Sequence, residues 1–97
     1  MIFTLTKFAA QDIEDIGDFI ALNNPARALS FIEEIHAACR ALIDTPAAYP
    51  AIVTLGDNIR RAPFQRYLIF YAGTASELRI VRVLHSARDI NAQMFVV

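Results

Sequence analysis

The sequence predicts an α+β fold with the element order β-αα-βββ, in which a helix hairpin packs on one face of a mostly antiparallel sheet. Two amphipathic helical patterns, separated by a short polar turn, fill most of the first half of the chain. The second half is instead rich in β-branched and aromatic residues and has no helical period. Helices and strands segregated along the chain in this way are typical of α+β domains. The length of 97 residues fits one domain over residues 1–97.

A short strand and two capped helices are predicted in the first half. Ile2–Thr6 alternates apolar and polar residues, and Thr6 can cap the next helix by accepting a free backbone N–H. That first helix covers Lys7–Leu22. Asn24 can cap the second helix, which is predicted over Pro25–Ile43. The acidic residues of the first helix are expected to form its solvated face: Asp12, Glu14, Asp15 and Asp18.

A three-stranded meander is predicted in the second half, after a loop over Thr45–Asn58. The strand Arg66–Ala72 is apolar on both faces, so we expect it in the interior of the sheet. A last helical turn over Ser86–Ala92 and an apolar tail at Met94–Val97 follow the sheet. The predicted strands are Ile59–Ala62, Arg66–Ala72 and Glu77–His85, and Pro63–Gln65 is the predicted connection between the first two.

Composition excludes several classes of protein and favours a binding partner. The hydrophobic fraction of 56% excludes intrinsic disorder, and in so short a chain it leaves apolar surface that a partner can cover. No apolar run is long enough for a membrane helix, and no secretory signal opens the chain. A single cysteine, Cys39, allows no internal disulfide. We therefore expect a cytoplasmic protein without membrane association.

The net charge of −1 conceals an asymmetry between the two halves. Residues 1–57 carry three cations against eight carboxylates, whereas residues 58–97 carry six arginines against two carboxylates. Arginine makes planar, bidentate contacts with carboxylates and phosphates, so the second half suits a charged partner. The alternative is that these arginines pair with the acidic helices of the same chain.

The sequence offers little for metal or nucleophilic chemistry. His36, Cys39 and His85 are its only histidine and cysteine residues, and their spacing fits no zinc site. No serine lies in a nucleophile elbow, and no glycine-rich phosphate loop is present. Cys39 falls in the apolar stripe of the second helix, so we expect it in the core.

The segment Arg79–Asp89 concentrates three arginines and one histidine where a strand ends in a turn. Arginine and histidine at a sheet edge can hold a phosphodiester and supply acid–base chemistry. The structural alternative is that Arg88 pairs with Asp89 and that His85 closes a local hydrogen bond.

The whole chain resembles the RelE/ParE superfamily of type II toxin–antitoxin toxins, and within it the ParE branch. The resemblance rests on five segments in the family's order and spacing. They are Asp12–Ile20, Asn24–Ala28 with Phe31-Ile32, Ile59-Arg60, Tyr67–Tyr71 and the closing RVLHSARD of Arg82–Asp89.

The resemblance implies a toxin fold held inactive by a cognate antitoxin, ParD-like or of another family, in a hetero-oligomer. ParE-like toxins are associated with DNA gyrase inhibition and plasmid stabilisation, without catalysis, cofactor or sequence-specific DNA binding of their own. RelE-like relatives cleave messenger RNA on the ribosome with several basic residues, including lysines, and often a C-terminal aromatic hydroxyl. Here Lys7 is the only lysine, Tyr71 the last tyrosine and Phe95 the terminal aromatic residue. Gyrase inhibition is therefore favoured, with ribonuclease activity or an inactive antitoxin-binding relative as alternatives.

Seven residues are expected to contact the antitoxin or the target, and five of them would form a reduced ribonuclease set. The contact residues are Arg60, Arg61, Arg66, Arg82, His85, Arg88 and Phe95. The catalytic residues of the ribonuclease alternative would be Arg60, Arg66, Arg82, His85 and Arg88.

Overall fold

The computed structural model describes residues 2–56 and 58–95 and confirms the α+β class with the predicted element order. Two short 3₁₀ turns, at Val53–Leu55 and Ala92–Phe95, accompany the regular elements. These elements are β1 (Ile2–Leu5), α1 (Lys7–Ala21), α2 (Pro25–Ala41), β2 (Ile59–Phe64), β3 (Tyr67–Gly73) and β4 (Glu77–His85).

The four strands form one mixed sheet in the order β1-β4-β3-β2. The short connections within the second half make β2, β3 and β4 antiparallel neighbours. β1 lies parallel to β4, because the helix hairpin carries the chain across the sheet before β2 begins. β3 therefore occupies an interior position, as its two apolar faces predict.

Both predicted helix caps are present. Thr6 Oγ1 accepts the backbone N–H of Ala9 at 3.0 Å, and Asn24 Oδ1 accepts that of Arg27 at 3.1 Å. Each helix ends one or two residues earlier than the apolar pattern suggests, because Leu22 and Leu42 are the C-cap residues.

The hairpin between β2 and β3 is tighter than predicted. We expected Pro63–Gln65 as the connection, but Pro63 lies within β2 opposite Leu68. β2 is an edge strand, so a residue without N–H is tolerated there. The connection is the two-residue turn Gln65-Arg66, in which Gln65 adopts a left-handed φ of 54°.

The predicted helical turn over Ser86–Ala92 is also wrong, because the 3₁₀ turn forms later, at Ala92–Phe95. Residues 86–88 instead form a simple turn. Of the predicted apolar tail, Val96 and Val97 lie outside the described residues.

Apolar clusters cover both faces of the sheet. The larger cluster lies between the helix hairpin and the sheet and includes Cys39, as predicted. α1 and α2 approach closely at Gly17, where a Cβ atom would lie 2.5 Å from Ile32 Cδ1. The smaller cluster, on the opposite face, is closed by the two 3₁₀ turns through Leu55 and Phe95. Within the described residues, no helix is both long and apolar enough to span a bilayer.

Candidate functional site

A groove runs between α1 and the end of the sheet where β3 begins and β4 ends. It consists of two adjoining cavities, of about 210 and 310 Å³, that share the side chain of Tyr67. We call this the Tyr67 groove. Its lining includes Ile16, Phe19, Ile20, Arg27, Phe31, Arg66, Tyr67, His85 and Arg88.

A row of aromatic rings forms the floor of the Tyr67 groove. The Tyr67 ring lies 5.7 Å from that of Phe31 and 5.2 Å from that of His85, which it meets edge to face. The guanidinium of Arg27 lies 5.0 Å from the centre of the Phe31 ring. Such contacts fix the ring planes and place a cation on an aromatic face, so the floor is preformed.

Three large exposed apolar side chains lie on the helix hairpin, and one of them, Phe19, lines the groove. Phe19 is 69% exposed, Leu22 is 79% exposed and Leu29 is 69% exposed. All three lie around the turn that joins α1 to α2. Single exposed apolar residues are ordinary, but three large ones around one turn, with one of them in the lining of a groove, indicate a binding surface.

The turn at the end of the sheet brings three predicted site residues to one rim of this groove. The backbone N–H of Ser86 donates to the carbonyl of Arg66 at 2.8 Å and joins the β2–β3 turn to the end of β4. Arg66, His85 and Arg88 are all exposed. Within residues 2–56 and 58–95, neither arginine is in an ion pair.

His85 faces this rim with one ring nitrogen engaged. Its Nδ1 accepts the backbone N–H of Ala87 at 3.0 Å, so the neutral ring carries its proton on Nε2. This is the local hydrogen bond that the structural alternative for His85 anticipates.

Arg82 does not join that rim, although it belongs to the same sequence motif. Its Nε and Nη2 donate to the two carboxylate oxygens of Asp12 at 2.8 and 2.9 Å. The two side chains are only 14% and 11% exposed. The hydrogen bond to Asp12 raises the pKa of Arg82 above its ordinary value.

The predicted solvated acidic face of α1 is wrong at Asp12, which is nearly buried. Its Oδ2 accepts the backbone N–H of Val83 at 3.0 Å, and Arg82 Nη1 donates to the carbonyl of Met94 at 3.2 Å. The pair thus connects α1, β4 and the C-terminal 3₁₀ turn. Glu14, Asp15 and Asp18 are exposed, as expected.

Arg60 is likewise engaged within the protein. Its Nη1 donates to the carbonyl of Tyr49, and the hydroxyl of Tyr71 donates to the carbonyl of Pro46 at 2.9 Å. Both contacts fasten the loop between α2 and β2 to the sheet. Burial raises the pKa of Tyr71, which remains a phenol.

The two remaining predicted contact residues lie away from the Tyr67 groove. Arg61 is exposed on β2, beside a separate cavity that Tyr49, Pro50 and Leu68 also line. Phe95 is only 8% exposed, and its ring packs 4.8 Å from that of Phe70. The ring of Phe95 therefore closes the smaller apolar cluster.

Sequence reasoning overlooked Arg27 and Tyr67 as groove residues. The spacing of Arg27 and Phe31, four residues apart on one helix, is a signal that could have indicated a cation on an aromatic ring. The position of Tyr67 opposite His85 depends on strand register, which no local pattern reveals.

In the described part of the chain, no three metal-ligating side chains come together, and burial raises the pKa of the Cys39 thiol to about 12.

Comparisons with known proteins agree with the fold. No curated protein matches the sequence. Among solved structures, a chain described as the chromosomal ParDE TA system from P. aeruginosa is similar, with a TM-score of 0.76 and 18% sequence identity. The match covers 88% of this chain and 95% of that one, and at this identity it shows the fold. A family model described as the ParE toxin of the type II toxin–antitoxin system parDE matches residues 3–90. The chain therefore belongs to the ParE family of type II toxin–antitoxin toxins.

Proposed function

We propose that this ParE-family chain inhibits DNA gyrase in the cytoplasm by binding it, and that a cognate antitoxin neutralises it. Its action requires a preformed surface and no chemical step of its own. Family membership supports the toxin role. The arrangement of the arginines supports binding over catalysis.

The observation that carries this proposal is the division of the ribonuclease set. Arg60 is engaged with the Tyr49 carbonyl and Arg82 with the Asp12 carboxylate. Only Arg66, His85 and Arg88 remain at the rim of the Tyr67 groove. General acid–base catalysis needs several groups converging on one reacting bond, and two of the five residues are committed elsewhere.

The Tyr67 groove suits an antitoxin segment that is both apolar and acidic. Phe19 and Ile20 offer apolar contacts in the groove, while Arg66 and Arg88 offer cations at the rim. An amphipathic helix binds such a groove through its apolar face, and its carboxylates pair with the rim cations. We propose that the antitoxin occupies this groove and blocks the surface that the target needs.

The test is a gyrase supercoiling assay with the purified toxin, with and without the antitoxin encoded beside it. We expect inhibition that saturates with toxin concentration and that equimolar antitoxin reverses. Plasmid incubated with the toxin in the absence of gyrase is the control for contaminating nuclease. If folded toxin leaves supercoiling unchanged, gyrase is not the target.

Ribosome-dependent cleavage of messenger RNA is the second candidate function. The observation that favours it is His85, whose Nε2 is not used in its local hydrogen bond and which lies at the rim with Arg66 and Arg88. Translating ribosomes incubated with the toxin distinguish the two functions, because a gyrase inhibitor leaves the message intact. A chain that affects neither system and still binds antitoxin is an inactive relative.

A further inference from the structure

The loop between α2 and β2 is long for so small a domain. It covers residues 42–58, and within the described residues its one regular element is the 3₁₀ turn at Val53–Leu55. Loops of this length without helices or strands are uncommon in compact domains and usually serve a function. The length of this loop therefore points to a role beyond joining two elements.

Several contacts hold this loop against the sheet. Arg60 and Tyr71 donate to carbonyls of the loop, and the backbone N–H of Ile52 donates to the carbonyl of Ile59 at 2.7 Å. Tyr49 packs against the larger apolar cluster and Ile52 against the smaller one, on the opposite face of the sheet. The loop thus crosses the edge of β2, and its position there is fixed.

A cavity of about 370 Å³ opens where this loop meets β2 and β3. We call it the Tyr49 cavity. A volume of this size is within the range of small ligand pockets and accommodates one large apolar side chain. None of its lining residues lines the Tyr67 groove. They are Tyr49, Pro50, Ile52, Arg61, Pro63 and Leu68.

The apolar walls of the Tyr49 cavity are preformed. Pro50 and Pro63 have a fixed φ and little side-chain freedom. Pro63 lies opposite Leu68 in the pairing of β2 with β3, and Leu68 packs against the smaller apolar cluster. Occupation of the cavity therefore requires little ordering of the protein, which lowers the entropic cost of binding.

Arg61 supplies the one charge among the described residues that line the Tyr49 cavity. Its side chain is exposed, and its cross-strand neighbour is Phe70, so the opposite strand offers it no carboxylate there. Within residues 2–56 and 58–95, Arg61 is in no ion pair. An apolar cavity beside an unpaired guanidinium is complementary to an apolar group next to a carboxylate.

We propose that the Tyr49 cavity binds a large apolar side chain of a partner protein, and that a carboxylate next to that side chain pairs with Arg61. Val53, which follows Ile52 in the chain and is 85% exposed, offers further apolar contact on the same loop. An apolar anchor in a preformed pocket is typical of the residues that dominate protein interfaces. Because the Tyr49 cavity and the Tyr67 groove share no residue, this proposal does not depend on the proposed function.

Methyl chemical shifts test the binding. The probe is the synthetic peptide acetyl-Ala-Asp-Phe-Glu-Ala-amide, added in millimolar excess to the full chain with ¹³C-labelled isoleucine and leucine methyl groups. We expect the methyl signals of Ile52 and Leu68 to shift and to saturate, because the phenyl ring lies against them. The methyl signals of Ile20, in the Tyr67 groove, should not move. Unchanged signals of Ile52 and Leu68 would overturn the proposal, and so would an equal shift of Ile20.

Two control peptides separate the apolar contribution from the charged one. One has alanine in place of phenylalanine, and the other has lysine in place of both acidic residues. Each should bind at least about tenfold more weakly than the probe. A control peptide that binds as tightly as the probe would contradict the assigned chemistry of the partner.

A charge variant tests the role of Arg61. Arg61→Gln should raise the Kd of the probe about fivefold at low salt. The matched control is Arg40→Gln on α2, where an exposed arginine also lacks an ion pair among the described residues. It should change the Kd less than about twofold, and equal effects of the two variants would contradict the assignment. Ile52 shifts that depend on toxin concentration without peptide would also overturn it, because a second copy would then occupy the cavity.

Discussion

The arginines in the second half of the chain fall into two groups, one engaged in contacts within the protein and one exposed to solvent. Arg60 donates to a loop carbonyl and Arg82 to a nearly buried carboxylate, whereas Arg66 and Arg88 extend from turns into solvent. Arg82 and Arg88 even belong to the same RVLHSARD segment. A shared motif thus joins a residue that holds the fold together to one that is available for recognition.

The two groups of arginines should differ most in their contribution to the free energy of unfolding. In Arg82→Ala the nearly buried carboxylate of Asp12 loses its cation. We therefore expect a loss of about 3 kcal/mol in the free energy of unfolding. Arg88→Ala should cost less than about 0.5 kcal/mol, because a solvated surface residue contributes little. Urea unfolding followed by circular dichroism measures both. Equal costs would mean that the Asp12–Arg82 pair is not structural.

The Cys39 thiol provides an independent measure of the same difference. Burial raises its pKa to about 12, so at pH 8 the folded chain holds almost no thiolate, and labelling depends on opening of the structure. A loss of about 3 kcal/mol corresponds to an increase in labelling rate of about 100-fold. We expect that increase for Arg82→Ala and almost none for Arg88→Ala, measured with a chromogenic disulfide reagent. Rapid labelling of the unsubstituted chain would show that Cys39 is accessible without opening.

Arg60 should have a smaller and more local effect than Arg82. Replacing it with Met removes a charged donor from the Tyr49 carbonyl and should cost about 1.5 kcal/mol. Because that contact fastens the loop between α2 and β2, amide exchange near Tyr49 should accelerate more than exchange in α1. Uniform acceleration throughout the chain would contradict a local role.

Substitution of the exposed arginines Arg66 and Arg88 should weaken antitoxin binding and leave the fold unchanged. The double variant Arg66→Glu with Arg88→Glu should weaken antitoxin binding about tenfold at low salt and make its salt dependence shallower. Its unfolding free energy should change by less than about 0.5 kcal/mol. Arg61→Glu is the matched control, since Arg61 lies on a different edge. An unchanged antitoxin affinity would remove the groove rim from the recognition surface.

Local patterns predicted the elements of this fold well and the partners of its charged residues poorly. Thr6 and Asn24 fix where the helices begin through contacts within three residues, so the sequence reveals them. The contact between Asp12 and Arg82 joins residues 70 positions apart. Asp12 looks like any solvated helix residue until the sheet places Arg82 and the Val83 N–H beside it.

The same reason explains what was missed at the candidate site. Tyr67 meets His85 because the register of β3 and β4 places them opposite each other. Phe95 was expected to be a contact residue because it lies in an apolar tail. Its ring packs on Phe70, on the face of the sheet opposite the helix hairpin. Both positions follow from tertiary packing, which composition and spacing do not specify.

If this toxin binds gyrase, as we propose, and does no acid–base chemistry, the variant His85→Gln should act as the unsubstituted toxin does. Glutamine retains polarity at the rim but cannot exchange a proton near neutral pH. With folding verified by circular dichroism, we expect the variant and the unsubstituted toxin to inhibit gyrase supercoiling at the same concentrations, and both to leave ribosome-bound messenger RNA intact. Cleavage of the message by the unsubstituted toxin, abolished in His85→Gln, would show that the toxin acts by acid–base catalysis instead.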